Sequence, residues 1–216
     1  MKSYQQAFIE MARNLEALKF GNFTLKSGRV SPYFFNSGSF CSGAALAQLG
    51  QCYASALVES GLGFDMLLGP AYKGIPLVTS VAVSLSRDHG LDTPFAYNRK
   101  EAKDHGEAGL LVGAPLQGRV LVIDDLITAG TAVREVIGMV REHGAQCVGV
   151  AVGLDRQERG QGKLSAIQEL EQEFGLTVIS IINFRELIAH LRESGAVADA
   201  TLRSLEAYRA SYGVSS

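Results

Sequence analysis

Apolar residues recur along this chain with two different periods, and the change of period divides it. Over residues 3–18, Phe8, Met11, Ala12, Leu15 and Leu18 return at helical spacing, which predicts an amphipathic helix. Ser3 followed by Gln6 reads as a capping box at its start. The segment FTLKSGRVSPYFFN (23–36) predicts two short strands around a Ser27–Gly28 turn. A second helix is expected from a Ser42 cap, with Leu46, Leu49, Tyr53, Ala56 and Leu57 inward and Gly61 near its end.

Beyond residue 64 the pattern changes to apolar runs alternating with helical segments. DMLLG (65–69) is a strand, and a helix follows over roughly 76–87. PFAYNRK (94–100) is a strand running into EAKDHGEAG, which is polar and has no period. GRVLVID is a strand, Thr131 to His143 a helix ended by Gly144, and QCVGVAVGLD a strand. LSAIQELEQEF is a helix ended by Gly175, TVISIINF a strand, and two helices close the chain. Near-continuous apolar strands alternating with helices imply an α/β fold with a mostly parallel central sheet flanked by helices. The first stretch, about 1–62, departs from the alternation and is expected to form a small hood lobe. The α/β core then covers about 63–185 and the closing helices about 186–216, in a single domain.

Composition narrows the function classes. The net charge of −2 argues against a general affinity for nucleic acid or anionic membranes, so any anion must be gripped locally. Three cysteines, Cys41, Cys52 and Cys147, are odd in number and lack metal spacing. They read as packing residues in a reduced, cytoplasmic setting. No signal peptide is expected in MKSYQQAFIEMARN, and no apolar run approaches the roughly 18 residues of a membrane span.

The chemistry concentrates in RVLVIDDLITAGTAV (119–133). An apolar strand stops on two carboxylates, Asp124 and Asp125. Leu126, Ile127, Thr128, Ala129, Gly130, Thr131 and Ala132 then lead into a helix. In an open parallel sheet, ligands bind beyond the carboxyl ends of strands. A helix start offers unpaired N–H groups and the positive end of its dipole, and small side chains let a phosphate approach them. An anion cradle beside an anion pair calls for a ligand with a phosphate at one end and donors at the other, such as a phosphorylated ribose. An Asp-Asp after a strand also occurs in receiver domains and metal-dependent phosphatases. The absence of G-x-x-x-x-G-K-[ST] and of G-x-G-x-x-G weakens nucleoside triphosphate and dinucleotide readings.

This strand end resembles that of the type I phosphoribosyltransferases. FTLKSGRVSPYFFN, GPAYKGIPL, YNRKEAKDHGEAG and GLDRQERG narrow the resemblance to the bacterial, orotate-using branch. Leu126, where valine is frequent, and Ala108, where glycine is common, are mild departures. The resemblance implies that orotate and 5-phosphoribosyl 1-pyrophosphate react with Mg²⁺ to give orotidine 5′-phosphate and pyrophosphate. It implies catalytic roles for Lys103, His105, Asp124 and Asp125. Donor binding falls to Lys26, Tyr72, Lys73, Arg99, Lys100, Lys103, His105 and residues 124–132. Orotate binding falls to Lys26, Phe34, Phe35, Thr128 and Arg156. Mg²⁺ is expected to be held mainly through substrate. A cis Ala71–Tyr72 peptide and a homodimer whose loop 99–109 closes over the neighbouring subunit's site are also implied.

The chemistry suits these residue types. An acidic pair under the ribose favours the positive charge its ring gains, and cations stabilise the leaving pyrophosphate. Aromatic surface at 33–35 and a guanidinium suit a flat carboxylate. Taken alone, RKEAKDHGE would read as a solvated loop and Arg156 as a surface arginine. Two alternatives are a purine or uracil phosphoribosyltransferase, which has no use for Arg156, and a ligand-sensing regulator of the same fold. His89, His143 and His190 read as surface or capping residues, and RQERGQGK as an exposed loop.

Overall fold

In the computed structural model of the protein, residues 1–25, 27–103, 109–160 and 162–214 are described. Helix α1 (Ser3–Asn14) is followed by strands β1 (Leu18–Thr24) and β2 (Val30–Phe35), a 3-10 turn (Ser37–Ser39) and helix α2 (Gly43–Ser60). Then come β3 (Met66–Gly69), α3 (Gly74–His89), β4 (Phe95–Lys103), β5 (Gly109–Gly113), β6 (Arg119–Ile123) and α4 (Thr131–Glu142). The chain finishes with β7 (Gln146–Asp155), α5 (Ala166–Phe174), β8 (Thr177–Asn183), α6 (Phe184–Ser194) and α7 (Asp199–Tyr212). None of the described helices is long and apolar enough to cross a membrane.

β1 and β2 form a separate antiparallel hairpin. The other strands form one sheet in the order β5-β4-β3-β6-β7-β8, parallel except for the β4–β5 pair. Period-two alternation inside the buried strands assigns residues to its two faces. Leu67, Leu121, Ile123 and Ala151 join the cluster under α1, α2, α3, α6 and α7. Met66, Leu68, Val120, Val122, Val150 and Val152 join the cluster under α4 and α5. β3 pairs with β4 on one side and β6 on the other, so the strand order reverses between β3 and β6. A crevice therefore opens beyond the carboxyl ends of β3 and β6, where such sheets bind ligands.

Several expectations are corrected. α1 ends at Asn14 because the chain reverses at Glu16 (φ 53°), and Leu18 is buried at the start of β1. Its cap is Lys2, whose N–H donates to Gln5 Oε1, rather than Ser3 with Gln6. Gln5 is buried and also donates to the Ile181 carbonyl at 3.0 Å, which ties α1 to β8. The first 62 residues are not a lobe set apart. α1 and α2 pack in the same core as the sheet, and so do Leu18, Tyr33 and Phe35 of the β1–β2 hairpin, although its two strands pair only with each other. β5 was not foreseen, and residues 99–103 continue β4 instead of starting a loop. Cys41 is exposed rather than packed, whereas Cys52 is buried.

Candidate active site

β6 delivers Asp124 and Asp125 to the crevice, and their environments differ. Asp125 is buried, and its Oδ2 accepts from Lys73 Nζ at 2.6 Å and Ser37 Oγ at 2.5 Å. Asp124 Oδ1 accepts the Asp125 N–H at 2.8 Å. Its main chain is fixed twice, by donating to the Ala151 carbonyl and by accepting from the Tyr53 hydroxyl at 2.7 Å. The Asp125 carbonyl accepts from Gly153 N–H at 3.0 Å, so β7 clamps the turn as well. Burial, reinforced by the charge of Asp125, pushes the Asp124 carboxyl up to about 7 from 3.8; the Asp125 N–H and Lys73 act in the opposite sense.

That shift predicts a stability effect. A carboxyl whose folded pKa is raised binds more protons in the folded than in the unfolded chain between those values, so stability falls as pH climbs from about 4 through 7. Asp124→Asn is therefore expected to be more stable than the parent at pH 8, with the difference vanishing near pH 4. Urea midpoints at the two pH values check this; an equal gap at both would contradict it.

The loop after the acids leads into the start of α4, the expected anion cradle. Gly130 caps α4 with φ 74°, in the left-handed region, and no side chain caps the helix. The first N–H groups of α4 therefore lack a side-chain partner, and Thr128, Ala129, Thr131 and Ala132 around them are exposed. Leu126 and Ile127 are turned inward, with Ile127 buried in the core under α4.

Across the switch point, the loop after β3 carries Tyr72 and Lys73. Gly69 and Gly74 allow it to fold tightly, since a Cβ on either would strike the backbone of the other. The Ala71–Tyr72 peptide is cis, and the Ala71 N–H donates to Asn98 Oδ1 at 2.8 Å. Lys100 lies over the exposed Tyr72 ring at 5.1 Å. β4 brings Arg99 and Lys100 toward the same loop. The described part of Lys103 is its backbone, which closes β4 opposite Gly109. Lys26 and His105 lie outside the described residues.

The residues expected to meet orotate differ in exposure. Arg156 follows β7, with its side chain 13% exposed, rather than lying on the surface. Its guanidinium sits 4.4 Å over the buried Tyr33 ring and pairs with Glu158 at 2.6 Å. Phe34 is 40% exposed and stacks on Phe23 at 5.5 Å, so it offers an open ring. The Phe35 ring does not: strand alternation turns it inward, between Phe8 and Phe40. RQERGQGK is not wholly exposed either, because the Glu158 side chain is 14% exposed. Sequence reasoning missed Ser37 and Glu158, took Tyr53 only for an inward helix residue, and read Tyr33 as aromatic surface although it is buried. Each works through a partner distant in sequence or folded back on it, and no local pattern marks such a contact.

An acidic pair, an uncapped helix start and a facing cation loop meet at one switch point, an arrangement suited to a phosphorylated sugar. Comparison with known proteins agrees: residues 42–176 match the phosphoribosyl transferase domain family. The chain is 59% identical over 214 residues to the orotate phosphoribosyltransferase of Cronobacter sakazakii, covering 99% of this chain and 100% of that one. It is equally similar to that of Saccharophagus degradans, 59% over 214 residues with the same coverage. The crystal structure of the Francisella tularensis orotate phosphoribosyltransferase superposes with a TM-score of 0.87 at 40% identity, covering 95% of this chain and 98% of that one. The chain belongs to the phosphoribosyltransferase family, in its orotate phosphoribosyltransferase branch. It transfers the 5-phosphoribosyl group of 5-phosphoribosyl 1-pyrophosphate to orotate, a step of pyrimidine biosynthesis.

Proposed function

We propose the following division of labour for this reaction. The amides and hydroxyls of residues 128–132 hold the donor's 5′-phosphate, and the observation that carries this is the uncapped start of α4 beside the acidic pair. Asp124 and Asp125 accept the ribose hydroxyls, and their charge steadies the ring as it becomes positive. Lys73 leaves Asp125 for the incoming pyrophosphate, while Ser37 keeps the Asp125 carboxylate in place. Tyr72, Arg99, Lys100, Lys26, Lys103 and His105 complete the pyrophosphate grip. Orotate lies against the open Phe34 ring and the backbone at Phe35, with Lys26, Thr128 and Arg156 as its polar contacts. Its own ring nitrogen attacks the anomeric carbon, so no side chain serves as nucleophile.

Mg²⁺ fits this donor set. The acidic pair supplies hard oxygens beside the place proposed for the donor's pyrophosphate, which would carry the ion. Bound there, it would neutralise charge on the leaving group. The active form is a homodimer in the cytoplasm, with the segment that carries Lys103 and His105 in one subunit closing over the other's site and excluding water.

One experiment tests the shared site. Lys103→Ala chains mixed with Asp125→Asn chains are expected to recover orotate-consuming activity, because each hybrid holds one composite site with both residues intact. Chelation should abolish that activity and added Mg²⁺ restore it. Inactive hybrids of demonstrated heterodimeric composition would refute the sharing of loops.

A further inference from the structure

The environment of Arg156 contains more than a carboxylate receptor requires. Its Nε and Nη2 both donate to one oxygen, Glu158 Oε1, at 2.9 and 2.6 Å. Nη2 also reaches Ser31 Oγ at 3.4 Å. Beneath it, the Tyr33 ring stacks on Phe184 at 4.6 Å, so the platform is rigid, and the Tyr33 hydroxyl donates to Glu158 Oε1 at 3.4 Å. The chain must reverse for Glu158 to face Arg156. It does so at Gln157, which has φ 52° and whose N–H donates to Asp155 Oδ1 at 2.8 Å. The turn is then stitched to the end of the chain: Val214 N–H donates to the Gln157 carbonyl and Arg159 N–H to the Tyr212 carbonyl, both at 2.9 Å. The buried Tyr208 hydroxyl has no hydrogen-bond partner among the described residues. Burial pushes that hydroxyl's pKa up, and the charges of Glu158 and Arg156 both reach it, so it belongs to the same cluster.

A long, flexible side chain binds a carboxylate weakly if it must be ordered on binding. Here two N–H groups, a ring face and a backbone turn hold the guanidinium in advance. We propose that Glu158 is a positioning residue for orotate: it fixes Arg156 in the orientation that receives the substrate's carboxylate, and neutralises the arginine's charge until the substrate arrives. The inference rests on the assignment of Arg156 to orotate. Glu158 acts only through Arg156, so its effect must disappear when Arg156 is gone.

A double-mutant cycle on the intact enzyme reads this directly. Glu158→Ala is expected to raise the orotate KM by about 10-fold, the cost of ordering one long side chain on binding, with kcat and the donor KM within about 2-fold of wild type. Glu158→Gln keeps an acceptor oxygen and should stay within about 3-fold of wild type. Arg156→Ala should raise the orotate KM at least about 10-fold, as for a lost charged hydrogen bond. Adding Glu158→Ala to it should change nothing further. Arg156→Gln, which retains a donor for Glu158, replaces Arg156→Ala should the unpaired carboxylate unfold the chain. An unchanged orotate KM in Glu158→Ala, an equal loss with Arg156 already removed, or a matching rise in the donor KM would overturn the proposal. A normal orotate KM when Arg156 alone is replaced would instead overturn the assignment of Arg156 itself.

Discussion

Replacing Lys103 with alanine is expected to lower kcat by at least about 100-fold while leaving the donor Kd within about 3-fold of wild type, the pattern of a group that acts on developing charge. As the bond to the anomeric carbon breaks, pyrophosphate gains negative charge that the bound donor does not yet carry. A cation brought to it by loop closure is felt mainly in that state. Lys103 closes β4, where its backbone pairs with Gly109 at the start of β5. Single-turnover rates together with donor titration separate the two quantities. Wild-type turnover would remove Lys103 from the reaction, and an equal loss in donor binding would make it a ground-state contact.

Gly130→Val should raise the donor KM at least about 10-fold, with a much smaller change for orotate. A left-handed backbone costs an ordinary residue roughly 1–2 kcal/mol, and a β-branched one more. A Cβ at Gly130 would also come within 2.8 Å of the Arg134 guanidinium and 3.4 Å of Leu170. Arg134 can swing aside from its pairing with Glu173, but the φ of 74° cannot be kept without strain. The turn would relax toward negative φ and carry the first amides of α4 with it. Donor and orotate KM values, with a thermal melt to verify folding, check the expectation; an unaltered donor KM would mean that these amides do not hold the phosphate.

Much of this architecture was readable because its signals are local. The strand 119–123, the acidic pair and the small residues before α4 are contiguous, so the strand end, loop and helix start could be inferred together. β3, β7 and β8 were equally plain as bounded apolar runs. β5 was hidden: GLLVG is short and glycine-flanked, and as an edge strand it leaves Leu110 41% exposed. The N-terminal region misled in another way. Its helices lack the βα alternation, yet Phe8, Ile9 and Leu57 pack on the same sheet face as Leu121 and Ile123, and only tertiary contact reveals that. Phe34 and Phe35 show both limits together. Alternation says that one of them faces inward, and the contacts of Phe35 with Phe8 and Phe40 say which. The partners Ser37 and Tyr53 reach Asp125 and Asp124 across 88 and 71 residues of chain. No periodicity encodes a contact of that kind.

The account depends on where the donor's 5′-phosphate sits. A crystal structure with 5-phosphoribosyl 1-pyrophosphate bound is expected to place that phosphate within hydrogen-bonding distance of the N–H groups of residues 129–132, with the ribose hydroxyls on Asp124 and Asp125. A phosphate held elsewhere, with the start of α4 left bare, would contradict it.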